Sequence, residues 1–134
     1  MLAEGRTAEG EHWQLTRNSS PHEETVSVLV TSVDGHPYWG TGCGLDDPPL
    51  SRPGTLSTGS DDDGPAVLIL QVRADVRAAV VQLSDGTRED LRLHPLPGRD
   101  DRVAVLVHHR RLDVHRIDLY DVRGMPFPDP DVDG

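Results

Sequence analysis

The sequence contains no lysine, one cysteine and only five aromatic residues among its 134. Each shortage removes a class of explanation. With Cys43 alone, no internal disulfide forms and no cysteine-based zinc site can be assembled. No stretch approaches the ~18 apolar residues of a membrane-spanning helix. The first ten residues lack the basic start and apolar run of a signal peptide. These two absences predict a cytoplasmic protein without membrane insertion, or an extracytoplasmic one if an export signal has been removed. Every basic residue other than histidine is arginine, and the acids outnumber them to a formal charge of −10. A domain of that charge repels phosphate backbones, so no nucleic-acid partner is expected.

What is present is aliphatic. Leu, Ile, Val and Phe make up about a quarter of the chain, above the roughly 20% below which disorder is the better reading. The length suits one domain. Residues 1–10 are polar and read as a flexible N-terminus. Glu11 to Arg17 alternates, with Trp13 and Leu15 on one face. Glu24 to Val33 is rich in β-branched residues, and Val26, Val28 and Val30 share a face at period two. Asp34-Gly35 is a turn dipeptide whose glycine supplies positive φ, and His36 to Thr41 returns as a third strand. No period survives from Gly44 to Pro65, where Pro48, Pro49, Pro53 and the run Asp61-Asp62-Asp63 fall. This reads as one long, mobile loop (44–65).

Order resumes in Ala66 to Arg73 (A-V-L-I-L-Q-V-R), a mostly apolar run suited to a strand covered on both faces. Val76 to Leu83 follows, with Ala79, Val81 and Leu83 on one face, then the hairpin signal Ser84-Asp85-Gly86-Thr87 and the return Arg88 to Leu93. Arg102 to Val107 and Asp113 to Asp121 are further strands, the latter with His115, Ile117 and Leu119 facing one way. Residues 126–134 read as a flexible acidic tail. No segment shows helical apolar spacing. About eight short strands, with turn signals every ~8–12 residues, predict an all-β fold: an antiparallel two-sheet sandwich spanning residues 11–125.

The stretch Val72 to Thr87 (V-R-A-D-V-R-A-A-V-V-Q-L-S-D-G-T), then Val103 to Val107 (V-A-V-L-V) and Ile117 to Gly124 (I-D-L-Y-D-V-R-G), resembles small immunoglobulin-like β-sandwich domains of uncharacterised actinobacterial proteins, many of them exported or membrane-tethered. The resemblance covers the C-terminal half and implies a fold without an activity.

No catalytic constellation stands out. There is no G-x-S-x-G, no P-loop and no dinucleotide fingerprint, and Cys43 reads as a structural thiol. The seven histidines are scattered, with no H-x-x-x-H, so no metal site and no cofactor are expected. Asp129, Asp131 and Asp133 match the start of a calcium loop that lacks its last acid, and they read as a solvated acidic loop. His115 reads as a core histidine. Two clusters remain as candidate binding residues. Tyr38 and Trp39 offer an aromatic platform, joined by Trp13. Arg110 and Arg111, in the run His108-His109-Arg110-Arg111, offer guanidinium forks to an anion. The chain is therefore expected to be a non-catalytic binding or accessory module acting on an unidentified protein partner. The alternative is a small ligand-binding protein or enzyme with a pocket lined by His, Arg and Trp.

Overall fold

The apolar run Ala66 to Arg73 lies at the centre of the molecule. The computed structural model describes residues 2–7, 10–21, 23–35, 37–46, 50–60, 65–108 and 111–127, with the backbone alone for 37–39. Its strand β6 (Ala66–Val72) is buried at every position after the first. Burial on both faces requires a layer on each side, and both are present. The described strands form three antiparallel sheets, with no helix among the described residues. Hence no helix there is long and apolar enough to cross a membrane.

An N-terminal sheet is the meander β1 (Ala3–Arg6), β2 (His12–Ser19), β3 (Glu24–Thr31) and β4 (Pro37–Gly44). The central sheet places β5 (Gly54–Ser60) beside β6, then β10 (Arg102–His108) and β9 (His94–Pro95). The C-terminal sheet runs β11 (Val114–Tyr120), β7 (Ala78–Leu83), β8 (Arg88–Leu91). Side chains alternate across a strand, so β6 and β10 divide their apolar residues between two cores. Val67, Ile69, Val103 and Val105 pack with Leu15, Val26, Val28 and Val30 of the N-terminal sheet. Leu68, Leu70, Val72 and Ala104 pack with Ala79, Val81, Leu83, Ile117 and Leu119 of the C-terminal sheet.

The alternations of β3 and β7 and the turn glycines match the sequence pattern. Gly35 (φ 92°) and Gly86 (φ 88°) occupy the left-handed region that the hairpins demand. Four features differ from the reading of the sequence. The described residues form eleven strands in three sheets, where about eight in two were expected. Residues 3–6, within the polar N-terminus, form β1. Residues 54–60, inside the expected long loop, form β5, paired along its whole length with β6. Pro126 bridges to Tyr120, and the Phe127 N–H donates to the Leu119 carbonyl at 3.0 Å, so the start of the expected tail is bonded back to β11.

β1 forms because Trp13 needs a glycine opposite. Gly5 is its cross-strand partner, and a Cβ on Gly5 would lie 2.6–2.8 Å from the indole. Aromatic side chains cover facing glycines in this way. Gly5→Ala therefore displaces the ring. The expected cost is roughly 1–3 kcal/mol, as for overpacking, read as a lowered urea midpoint with a shifted Trp emission maximum. A wild-type midpoint and spectrum would show that Trp13 is not seated on Gly5.

Candidate functional site

The most buried polar groups form a clasp between the N-terminal and central sheets. Gln71 interrupts the apolar run of β6 and is 4% exposed; Asp101, just before β10, is 1% exposed. The Gln71 amide donates to Asp101 Oδ2 at 2.7 Å and to the Asp46 carbonyl at 3.1 Å, and accepts from the Asp46 N–H at 3.0 Å. Arg99 grips Asp101 with two parallel bonds of 2.8 Å, Nε to Oδ1 and Nη2 to Oδ2. It also donates to Glu24 Oε2 at 2.7 Å and to the Asp46 carbonyl at 2.5 Å. Arg17 takes the other Glu24 oxygen at 2.6 Å and the Pro97 carbonyl at 2.6 Å.

Hydrogen bonds from Arg17 and then Arg99 hold the Glu24 carboxyl below its ordinary range. Burial pushes Asp101 up, but bonds from Arg99 and Gln71 outweigh it and leave its carboxyl lowered. Bonding to Asp101, ahead of Glu24, raises the Arg99 guanidinium. A polar recess of about 380 Å³ beside the clasp is lined by Arg17, Ser20, Glu24 and Arg99, but both guanidinium groups already hold Glu24. Two arginines balance two acids, and nearly every polar atom is satisfied internally, the Arg17 Nε excepted. The clasp fastens sheets together and offers no group to a ligand.

The edges of the sheets divide into two unlike flanks. Trp13 lies edge-on to His94, ring centroids 6.4 Å apart, and Arg17 reaches Pro97, which seats β2 over β9. Cys43 of β4 faces Ser57 of β5, and the Thr55 hydroxyl of β5 donates to Asp46, just after β4, at 3.3 Å, which seats β4 over β5. Gly54 lies against Leu119, which seats β5 over β11. One flank thus carries β1, β9 and β8. These are four, two and four residues long, and contain Glu4 and Arg6, Pro95, and Arg88, Glu89 and Asp90. Short, charged or proline-bearing edges resist pairing with a further strand. The other flank carries β4, β5 and β11, of eight, seven and seven residues. β4 and β5 contain no charged residue. Each pairs on one side only within the described sheets. Gly40, Gly42 and Gly44 are exposed, so three of the eight residues of β4 offer bare backbone. Burial is the main force raising the Cys43 thiol above its ordinary range; Ser57 opposes it and the Asp46 charge adds to it. A half-buried thiol kept protonated is a packing group.

Between the central and C-terminal sheets, β5 and β11 wall a cleft of about 790 Å³. Leu56, Leu112, Val114 and Ile117 supply apolar lining; Thr58, Ser60, His108, Asp113, His115 and Arg116 supply polar groups. His115 departs from its expected place. A bulge between Val114 and Arg116 breaks the alternation of β11, so Ile117 and Leu119 face the core while His115 is exposed. An extra residue in one strand re-aims the side chains around it. His115 is therefore a rim residue and no core histidine.

No family model matches the chain, and no curated protein or solved structure matches it.

The candidate binding residues fall in separate places. Tyr38 and Trp39 belong to the backbone of β4, at the edge of the N-terminal sheet. Trp13 is committed to Gly5 and His94. Arg111 is exposed in the connection from β10 to β11, on the far side of the central sheet from β4, and Arg110 lies outside the described residues. Asp129, Asp131 and Asp133 also lie outside them. No group of three metal-ligating side chains occurs among the described residues. The clasp was missed in the sequence; its one signal was a lone glutamine inside an apolar run.

Proposed function

We propose that the chain is a non-catalytic binding or accessory module of immunoglobulin-like sandwich type, acting through protein–protein contact. The observation that carries this reading is the difference between the flanks. Exposed strand edges template pairing, and proteins blunt the edges they do not use. Here β1, β8 and β9 are blunted, while β4, after Pro37 at its start, runs from Tyr38 to Gly44 without a charge or a proline. An extended segment of a partner protein fits that edge by strand addition, in which main-chain hydrogen bonds supply affinity. The charge of −10 favours a basic or neutral segment over an acidic one.

Selection of random displayed peptides on the whole protein, followed by amide-shift mapping, tests this. The expected result is extended, non-acidic peptides whose shifts centre on β4. The double variant Gly40→Lys, Gly44→Lys should abolish binding without unfolding. Both glycines are exposed, and a Cβ there meets nothing closer than 3.5 Å. Failure to select any peptide, shifts centred elsewhere, or unchanged binding to the folded lysine variant would remove the proposal.

A further inference from the structure

We infer that the cleft between β5 and β11 is a second binding site, for a small molecule that joins an apolar chain or ring to a carboxylate. The inference stands apart from strand addition at β4. In a regular strand, neighbours such as His115 and Arg116 point to opposite faces. The bulge at this point lets both line one cleft. Among the described residues, the His115 ring has no hydrogen-bond or ion-pair partner. Arg116 is two-thirds exposed and spends only its Nε, on Asp118 Oδ1 at 2.7 Å. Its two Nη groups thus keep the planar fork that matches a carboxylate. Among the described residues, His108 adds a third basic side chain to the lining, and the nearby acids are Asp113, also in the lining, and Asp118, bonded to Arg116 Nε. Behind them, Leu56, Val114 and Ile117 form an apolar wall for the remainder of the ligand. The volume falls within the range of roughly 300–1,000 Å³ typical of small-molecule sites.

Three eight-carbon probes separate the contributions: octanoate, octanol and octylammonium, each titrated into the whole protein and followed by amide shifts. Octanoate should shift residues 56–60 and 112–117 and bind about tenfold tighter than octanol, the scale of one charge-assisted hydrogen bond. Arg116→Gln should erase that tenfold difference while leaving octanol binding unchanged, which also reports that the variant is folded. Equal binding of octanoate and octanol, preference for octylammonium, persistence of the difference in Arg116→Gln, or no cleft shifts at millimolar probe would each overturn the inference.

Discussion

Replacing Arg99 by methionine is expected to cost about 3–5 kcal/mol at neutral pH, the price of stranding a buried charge. That is a large part of the 5–15 kcal/mol typical of a domain, and it should lower the thermal midpoint by on the order of 10 °C. The loss is concentrated at Asp101, which is 1% exposed and receives both parallel bonds from Arg99. Met fills similar volume, so packing changes little and the charge dominates. Adding Asp101→Asn to the variant removes the stranded charge and keeps an acceptor for the Gln71 amide. The double variant should therefore be more stable than Arg99→Met alone.

The pH dependence contributed by Asp101 carries the opposite sign in the two proteins. In the wild type, the Asp101 and Glu24 carboxyls are lowered. The unfolded chain then binds protons first, so this stability is complete above the ordinary carboxylate range near 4 and is lost as pH falls through the lowered folded values. In Arg99→Met, burial acts on Asp101 with its main cation gone, and its folded value rises. The contribution of Asp101 is then greatest at low pH and is lost as pH rises through the raised value. The difference between the proteins should shrink steadily from pH 7 to pH 4. A difference below about 1 kcal/mol at pH 7, or one independent of pH, would show that the clasp is not held by charge.

The elements legible in the sequence were those whose residues do one job. Val26, Val28 and Val30 alternate because one face of β3 meets the core, and each is fully buried. The run Ala66 to Arg73 reads as a strand covered on both faces, and β6, which takes up Ala66–Val72 of it, is buried at every position after the first. A strand covered on both faces sits in a middle layer, so this run by itself implies three sheets rather than two. β5 was hidden because an edge strand with half-exposed residues has no apolar period; Leu56 is its only large apolar side chain. β1 was hidden because its glycine acts through Trp13, a partner eight residues away. The displacement of His115 arises from a bulge, which depends on how β11 registers against β7. Neither the flank contrast nor the cleft has a local signature, since both depend on which edges stack.

Leu70→Ala is expected to destabilise the protein by about 2–5 kcal/mol, the range for truncating a fully buried leucine. Its consequence should also reach beyond its own core. Leu70 is 0% exposed and belongs to the core between the central and C-terminal sheets. Both tryptophans belong to strands of the N-terminal sheet, β2 and β4. Their fluorescence thus reports on the layer that Leu70 does not face. Were the C-terminal sheet to peel away, the central sheet would expose Leu68, Leu70, Val72 and Ala104 together. At about 25 cal/mol per Å² of apolar surface, such exposure costs several kcal/mol. The central sheet that remained would also be the only support for Leu15, Val26, Val28 and Val30. The three layers are therefore expected to unfold in one transition. In Leu70→Ala, the urea midpoints from tryptophan fluorescence and from far-ultraviolet circular dichroism should fall together and by the same amount. A fluorescence midpoint left at its wild-type value while the dichroism midpoint falls would show that the N-terminal and central sheets stand without the third.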